Sequence, residues 1–193
     1  RAYGYVFQAP GLYPWRTIAG NISLPLEIMG FGKPDRAERI ARVLELVDLK
    51  GFGGKYPWQL SGGMQQRASI ARALSFDADI LLMDEPFGAV DPIVRNELQS
   101  ELLRLQGELG KTIVFVTHDI DEAFRLGDEV VVLRTGGEIA QRGTPTEILG
   151  APADSFVSGF IGAERADRAL HTVTVDGRQL AVDADGRPVG VIE

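Results

Sequence analysis

Two acidic residues stand side by side at the end of an apolar run. Asp84 and Glu85 directly follow the segment "ILLM". In such a position one carboxylate can hold a hydrated Mg²⁺ ion, and the other can accept a proton from an attacking water molecule. Transfer of a phosphoryl group to water needs both roles, because it depends on positioning and on charge stabilisation. The pair indicates phosphoryl chemistry, although alone it is equally typical of a solvated acidic surface after a strand.

Three small residues could bind an anion. Ser61, Gly62 and Gly63 stand at the expected start of a helix, where free backbone N–H groups and the helix dipole favour negative charge. For this segment alone, an ordinary helix cap is the better interpretation. Two other polar residues follow apolar runs: His118, which could contact a γ-phosphate, and Gln8, whose amide could touch a metal ion and a partner. Taken singly, neither of them distinguishes a functional role from a structural one.

The elements that must position these residues are predicted from apolar periodicity. Short apolar runs predict strands at residues 4–8, 79–84, 112–117 and 129–134. Helical spacing predicts helices at residues 36–49, 61–74 and 92–109. Strands that alternate with helices predict a mainly parallel sheet, covered on both faces. Ligands of such sheets bind at the carboxyl ends of the strands, which is where Gln8, Asp84, Glu85 and His118 fall.

The last third of the chain changes in character. Asp119 with Glu122 predicts a helix start, "GGEIAQRG" predicts the end of a hairpin, and "TPTEILGAPADSFVSGFIG" predicts two short helices. From about Arg165 onward, short apolar runs separated by Asp-Gly pairs predict strands joined by tight turns. We therefore predict a first domain over residues 1–164 and a C-terminal extension over residues 165–193.

Composition excludes several classes of function. The 193-residue chain has a formal net charge of −7 and a pI of about 4.9, which argues against a duplex-binding surface of clustered basic residues. It contains no cysteine, which suits a reducing compartment such as the cytoplasm. Its apolar runs are far shorter than the roughly 18 residues of a membrane span, so any membrane role is expected to be peripheral. Because Arg1 precedes a strand already under way, we expect the chain to be a fragment.

Five ordered segments together resemble the motifs of the ATP-binding-cassette (ABC) ATPases. "LSGGMQQR" is similar to the family signature, with Met64 where glutamine is commonest. "ILLMDEP" resembles the Walker B strand, "FGAVD" the D-loop, "TH" the switch histidine and "VFQ" the Q-loop. The resemblance implies an α/β fold of the P-loop NTPase type, with a mainly parallel sheet and a helical signature subdomain.

The resemblance also implies a role for each motif residue. Glu85 would be the catalytic base and His118 would act beside it, while Asp84 and Gln8 would hold Mg²⁺. The residues that contact ATP would be Gln8, Ser61, Gly62, Gly63, Gln65 and Asp91. In the family two copies meet head to tail, so the signature helix of one copy closes on ATP held by the other.

One motif of the family is absent from the sequence. No GxxxxGK[ST] segment, the phosphate-binding Walker A loop, occurs among the 193 residues. We expect that loop to precede Arg1, and we expect the 193-residue chain by itself not to hydrolyse ATP. A truncated, non-catalytic remnant is the alternative interpretation.

The expected partners are those of an importer at the cytoplasmic face of the membrane. The loop predicted at residues 9–17 lies partly within the segment from Gly11 to Gly30 and carries Tyr13 and Trp15, which predict a docking surface. The resemblance implies that transmembrane permease subunits dock there and that a substrate-binding protein takes part indirectly. A soluble ABC protein that acts on DNA or ribosomes is opposed by the acidic charge, and no nucleic-acid partner is expected.

The resemblance to subgroups of importers is divided along the chain. Residues 13–30 and 55–89 resemble the nitrate, sulfonate and taurine importer ATPases. Residues 91–128 and 143–166 resemble instead the osmoprotectant group, which imports glycine betaine, choline or carnitine. The tail "VDADGRPVGVIE" is similar to part of a CBS domain, a module that follows the ATPase in the osmoprotectant group. We therefore favour an osmoprotectant importer, with the nitrate, sulfonate and taurine type as the alternative.

Overall fold

A parallel three-stranded sheet lies at the centre of the first unit of the chain. The computed structural model describes residues 3–88, 91–162, 171–175, 178–182 and 188–192, in two units, Arg1–His118 and Asp119–Glu193. The first unit contains, in chain order, β1 (Tyr3–Val6), α1 (Ile18–Ile28), α2 (Lys33–Leu46), α3 (Gly62–Leu74), β2 (Ile80–Asp84), α4 (Pro92–Leu109) and β3 (Thr112–Val116). The sheet has the order β1-β2-β3, and both strand pairs are parallel. The parallel sheet expected from the sequence is confirmed.

Helices α3 and α4 cover one face of this sheet. The apolar residues that line the space between them and the strands are Ile70, Leu74, Leu81, Leu102, Leu105 and Ile113. The approach is closest at Gly4 of β1, where a Cβ atom would lie 2.8 Å from Cδ2 of Leu81 and 2.9 Å from the carbonyl oxygen of Ala73. Only glycine therefore lets α3 pack this closely on β1.

The opposite face of the sheet is exposed. Tyr3 and Tyr5 of β1 are 49% and 54% exposed, and Val114 and Val116 of β3 are 51% and 61% exposed. Successive side chains of a strand point to opposite faces, so these residues point away from α3 and α4. Within the part of the chain that the structure describes, the prediction of a sheet covered on both faces is wrong.

Helices α1 and α2 pack against α3. The side chains of Ile18, Ile22 and Leu26 recur every four residues along α1 and are fully buried. The loop predicted from the sequence at residues 9–17 is confirmed, whereas helix α1, at residues 18–28, is not predicted. The helix forms despite an internal proline, Pro25, because burial of its apolar stripe outweighs weak local propensity.

The second unit contains short helices and two antiparallel sheets. Its elements are α5 (Ile120–Leu126), β4 (Val130–Leu133), β5 (Ile139–Gly143), α6 (Pro145–Gly150), α7 (Ser155–Ile161), β6 (His171–Val175), β7 (Arg178–Val182) and β8 (Pro188–Ile192). Strands β4 and β5 form the expected hairpin, over a core of Val130, Val132, Ile148, Val157 and Ile161. Strands β6, β7 and β8 form the other sheet.

The predicted domain boundary at residue 164 and both Asp-Gly turns of the extension lie outside the described residues. Among the residues that are described, no helix combines the length and the apolar character that crossing a lipid bilayer requires.

Candidate functional site

The carboxyl ends of β1, β2 and β3 bring three of the predicted residues together. Gln8 lies two residues beyond β1, Glu85 directly follows β2, and His118 lies two residues beyond β3. Nε2 of Gln8 donates a hydrogen bond to Oε2 of Glu85 at 2.9 Å. Nδ1 of His118 lies 3.1 Å from Oε1 of the same carboxylate. Each carboxylate oxygen of Glu85 is thus held by a residue from a neighbouring strand end.

The cluster of Gln8, Glu85 and His118 is open to solvent on one side. The side chain of Glu85 is 30% exposed, whereas that of His118 is 76% exposed. Gln8 is exposed as well. A ligand that approaches the edge of the sheet can therefore reach all three side chains.

The backbone at Glu85 has a conformation that is uncommon for glutamate. Its φ angle is +41°, in the left-handed region that costs a residue with a Cβ atom about 1 kcal/mol or more. The backbone N–H of Glu85 donates to the carbonyl oxygen of Val116 at 2.9 Å, and its own carbonyl accepts from the N–H of Gly88 at 3.0 Å. These bonds keep the residue in its strained conformation, which is typical of functional sites.

Gly88 is a second residue whose type matters to this cluster. A Cβ atom at this position would lie 3.0 Å from Nε2 of Gln8 and 3.4 Å from Oε2 of Glu85. Any side chain there would press on the hydrogen bond between Gln8 and Glu85. The sequence analysis assigns Gly88 no role, because a glycine in a loop carries no sign of which side chains it lies against.

Asp84 and Gln8 offer the oxygen atoms that a magnesium ion prefers. Asp84 is the last residue of β2 and is exposed. The side-chain carbonyl oxygen of Gln8 remains available, since the hydrogen bond to Glu85 uses its nitrogen. The described residues contain no group of three or more acidic, histidine or cysteine side chains that could enclose a metal ion. The donor set fits an ion that takes its other ligands from water and a phosphate, as Mg²⁺ does.

The signature segment begins helix α3, as predicted. Oγ of Ser61 accepts a hydrogen bond from the N–H of Met64 at 3.3 Å. Gly62 is exposed, and the space where its Cβ atom would lie is open. Because the first N–H groups of a helix have no acceptor within it, this open helix start fits an oxygen atom of a phosphate.

Gly63 differs from Gly62, because a neighbouring side chain fills the space where its Cβ atom would lie. A Cβ atom on Gly63 would lie 2.3 Å from Cγ1 of Val94. This glycine therefore allows α3 to pack on the first turn of α4. Asp91 caps that turn, since its carboxylate accepts hydrogen bonds from the N–H groups of Ile93 and Val94 at 3.1 and 3.2 Å.

Among the described residues of one copy, no hydrogen bond joins Ser61 of the signature segment to Glu85. Gln65 also turns to its own helix start, where its Nε2 donates to the carbonyl oxygen of Leu60 at 3.1 Å. Two residues of the predicted D-loop, Ala89 and Val90, lie outside the described residues.

Two residues that the sequence analysis does not single out hold the segment after β1. Nε2 of Gln66 donates to the carbonyl oxygen of Phe7 at 3.2 Å. The guanidinium of Arg72 donates to the carbonyl oxygens of Pro10 and Gly11 at 3.0 and 2.7 Å. Burial lowers the pKa of this guanidinium below its ordinary value. The sequence does contain a sign of both residues, since polar side chains among the buried residues of a helix require polar partners.

Two of the exposed aromatic pairs on the first unit share a sequence pattern. Each comes from a Tyr-Pro-Trp sequence, with ring centroids 5.3 Å apart in the first pair and 6.1 Å apart in the second. Trp15 is 70% exposed and Trp58 is 72% exposed. The segments that carry the pairs are joined, because the N–H of Ile18 donates to the carbonyl oxygen of Lys55 at 2.8 Å. We call these four residues the aromatic surface: Tyr13, Trp15, Tyr56 and Trp58.

Asn21 fixes the loop that carries the first aromatic pair. Its side chain is fully buried. Its Oδ1 accepts from the N–H of Tyr13 at 2.6 Å, and its Nδ2 donates to the carbonyl oxygens of Tyr13 and Thr17 at 3.1 and 3.0 Å. The exposed rings are therefore displayed from an ordered loop, which reduces the entropic cost of binding a partner.

Comparison with known proteins finds close relatives. The ABC transporter family model matches residues 1–88. The carnitine transport ATP-binding protein OpuCA of Listeria monocytogenes is 47% identical over 192 residues, which cover 99% of this chain and 47% of the relative. The choline transport ATP-binding protein OpuBA of Bacillus subtilis (strain 168) is 52% identical over 166 residues, which cover 86% of this chain and 43% of the relative. The chain thus spans about half the length of the curated relatives it matches.

A solved structure agrees in fold. The structure of cbiO1 from Clostridium perfringens, part of the ABC transporter complex cbiONQ, matches with a TM-score of 0.71 and 28% identity. The match covers 79% of this chain and 61% of that protein. The family match, the sequence identities and the fold point the same way. Residues 1–88 thus match the ABC transporter family, and most of the chain is similar to ATP-binding proteins of ABC transporters.

Proposed function

We propose that the complete protein is the ATP-hydrolysing motor subunit of an ABC importer for osmoprotectants of the quaternary-amine type. The observation that carries this proposal is the Glu85 carboxylate, held between the amide of Gln8 and the imidazole of His118 at 2.9 and 3.1 Å. A fixed, partly exposed carboxylate at the ligand-binding edge of a parallel sheet is suited to orient a water molecule and to take its proton.

The chemical roles follow from the positions of the side chains. Glu85 receives the proton of the water whose oxygen forms a bond to the γ-phosphorus, while the bond from that phosphorus to the leaving ADP oxygen breaks. His118 keeps Glu85 oriented and can donate to a γ-phosphate oxygen. Asp84 and Gln8 would hold Mg²⁺, which when bound neutralises charge on the phosphates.

The signature residues act, in this proposal, on nucleotide held by a second copy of the chain. Ser61, Gly62 and Gly63 offer a hydroxyl and backbone N–H groups at the start of a helix, and Gln65 lies on its first turn. The lack of a hydrogen bond between Ser61 and Glu85 among the described residues of one copy is compatible with a site that two copies share head to tail. Asp91 caps the neighbouring helix, and we propose that it contributes to the contact between the copies.

We propose that the aromatic surface receives a cytoplasmic helix of a transmembrane permease subunit. Exposed aromatic rings on an ordered loop favour a protein partner, because large rigid side chains dominate the energetics of interfaces. The protein would then be bound peripherally at the cytoplasmic face of the membrane, and a substrate-binding protein would act through the permease. The acidic net charge of −7 does not favour nucleic acid as a partner.

The solute class rests on the relatives. Carnitine and choline appear in the names of two relatives that are 47% and 52% identical to this chain over the aligned residues, and both solutes are quaternary amines. The resemblance of residues 13–30 and 55–89 to nitrate, sulfonate and taurine importers leaves an anionic solute as the alternative.

Transport measured with both solute classes tests the proposal. Membrane vesicles that contain the complete protein and its permease should take up glycine betaine or choline when supplied with ATP and Mg²⁺. Uptake of taurine in place of the amines would support the alternative solute. Absence of ATP hydrolysis by the complete protein would contradict the motor function itself and would favour the non-catalytic remnant.

A further inference from the structure

Helix α3 holds the chain on both sides of Gln8. On one side, Nε2 of Gln66 donates to the carbonyl oxygen of Phe7 at 3.2 Å. On the other side, the two terminal nitrogens of Arg72 donate to the carbonyl oxygens of Pro10 and Gly11 at 3.0 and 2.7 Å. Gln8 therefore lies within a short segment that is fastened at both ends to a single helix.

These two fastenings are stronger than ordinary surface contacts. Gln66 is only 2% exposed, and loss of its hydrogen bond to Phe7 would leave its buried amide N–H group without that partner. Arg72 makes charge-assisted hydrogen bonds, which are shorter and stronger than neutral ones. Its planar guanidinium can reach two successive carbonyl groups, which a lysine ammonium cannot match geometrically. Movement of α3 must therefore carry the Gln8 segment with it.

The same helix begins with the signature residues. Ser61 is its cap, and Gly62 and Gly63 form its first turn. At the far end of the connection, Gln8 donates to the carboxylate of Glu85 at 2.9 Å. A continuous set of contacts thus leads from the tip of α3, along the helix, to Gln8 and on to Glu85.

We propose that Gln66 and Arg72 are positioning residues, which keep Gln8 in register with the signature tip of α3 and so couple closure of that tip to the position of Gln8 beside Glu85. This inference rests on the proposed function, since it assigns a purpose to the position of Gln8 in ATP hydrolysis. Neither residue touches the cluster directly. Their effect passes through the backbone of residues 7–11.

A conservative substitution measures this coupling in the complete protein with its permease. Arg72→Lys keeps the positive charge but loses the planar guanidinium that reaches two carbonyl groups. The value of kcat should therefore fall roughly 10- to 100-fold, the loss that a small misplacement of a catalytic group produces. The affinity for ATP should change by less than about twofold, because the variant leaves the groups that bind nucleotide intact. Arg39→Lys is the matched control, since Arg39 also donates to a backbone carbonyl, that of Ser75, at 3.3 Å. The control should leave kcat unchanged.

The same substitution in a Gln8→Ala protein separates a positioning role of Arg72 from a general effect on stability. In a Gln8→Ala protein the proposed route is already cut, so Arg72→Lys should lower kcat no further. A purely structural role for Arg72 would instead give the same factor in both backgrounds, since independent effects add in free energy. Gln66→Met removes the hydrogen bond to Phe7, so it should lower kcat in the wild-type background and lower it no further in the Gln8→Ala background. This variant tests the proposal if Arg72→Lys does not fold.

The outcomes distinguish this inference from the proposed function. A wild-type protein that hydrolyses ATP, with a Gln8-dependent loss in Arg72→Lys, supports both. A wild-type protein that hydrolyses ATP, with Arg72→Lys no different from Arg39→Lys, overturns the inference and leaves the function standing. A wild-type protein without hydrolysis overturns both.

Discussion

In the proposed mechanism, Glu85 is the residue on which the chemistry of the site depends. Its φ angle of +41° and its two side-chain partners, Gln8 and His118, fix the carboxylate before any ligand arrives. A group that is held in place needs no reorganisation at the moment of reaction, which is the main source of catalytic power in polar sites. The fold thus tolerates backbone strain at Glu85, and in the proposed mechanism this conformation holds the carboxylate ready to orient water.

Replacement of Glu85 by glutamine should stop hydrolysis and retain ATP. The amide keeps the shape of the side chain but cannot take a proton, so kcat should fall by about 10² to 10⁴, the usual contribution of a general base. Steady-state hydrolysis and equilibrium ATP binding by the complete protein measure the two effects. Glu45→Gln is the control, because Glu45 pairs with Lys50 on an exposed surface. Hydrolysis by the Glu85→Gln protein at the wild-type rate would remove Glu85 from the mechanism.

At the scale of single elements, the sequence predicts α3 and fails at α1. Helix α3 has a serine cap and regular apolar spacing, and both features can be recognised in the local sequence. Helix α1 contains Gly20 and Pro25, both unfavourable in a helix, and it is stabilised by tertiary burial of Ile18, Ile22 and Leu26. Local patterns do not record such packing.

The sequence likewise predicts some features of the candidate site and misses others. The positions of Gln8, Glu85 and His118 at strand ends follow from motif order and sheet topology, so the sequence predicts their meeting. The positive φ of Glu85 and the close approach of Gly88 depend on contacts between segments that are distant in the chain. No local pattern of residue types encodes them.

The packing of α3 on α4 depends on a missing side chain. Gly63→Ala adds a methyl group 2.3 Å from Cγ1 of Val94, and this overlap should lower the free energy of unfolding by about 1–3 kcal/mol. Gly62→Ala is the matched control, because nothing lies within 4 Å of its Cβ position. It should be neutral or stabilising, by up to about 1 kcal/mol. Urea unfolding measures both.

A compensating substitution checks the cause of this loss. Val94→Ala in the Gly63→Ala protein should recover a large part of the lost stability, because it removes the methyl group that the new side chain meets. Equal unfolding free energies for Gly62→Ala and Gly63→Ala would contradict the proposed close packing.

The free energy of unfolding should depend on pH through Glu27 of α1. A hydrogen bond from Ser23, and then the neighbouring Arg16 and Arg36, hold the pKa of Glu27 below its ordinary value. A carboxylate with a lowered folded-state pKa stabilises the fold above its unfolded pKa, and this stabilisation is lost as the pH falls through the folded value. Glu27→Gln should therefore lower the free energy of unfolding near pH 7, by about 1 kcal/mol or less because the pairs are partly exposed.

Chemical unfolding at a series of pH values tests this linkage. The difference between wild type and Glu27→Gln should shrink as the pH is lowered from neutrality toward the acid range in which Glu27 becomes protonated. Glu38→Gln on α2 is the control, since Glu38 makes no ion pair among the described residues. A difference that grows on acidification would be inconsistent with a lowered pKa.

At the scale of the whole molecule, we propose that the chain provides half of a shared catalytic site and a surface for a membrane partner. Among the described residues, the chain has no hydrogen bond between Ser61 of its signature segment and Glu85. Its aromatic surface lies in the same unit as the motif residues. Assembly with a second copy and a permease is thus the proposed way in which hydrolysis performs transport.

Removal of one exposed ring should weaken the permease contact. Trp15→Ala should lower the affinity of the complete protein for its permease by about 10- to 100-fold, the range of a central aromatic at an interface, and should leave ATP binding unchanged. Co-purification with the permease in detergent, titrated with protein, measures the affinity. Phe160→Ala removes a ring that is 48% exposed on α7 and serves as the control. Equal affinities for the two variants would argue against the aromatic surface as the docking site.

The shared site is the central claim, and one distance tests it most directly. In a structure of the Glu85→Gln protein with ATP and Mg²⁺, the measurement is the separation between Oγ of Ser61 in one copy and the γ-phosphate beside residue 85 of the other copy. A shared site predicts hydrogen-bond distance, about 3 Å. A Ser61 hydroxyl beyond the reach of any γ-phosphate oxygen in the ATP-bound pair would contradict it.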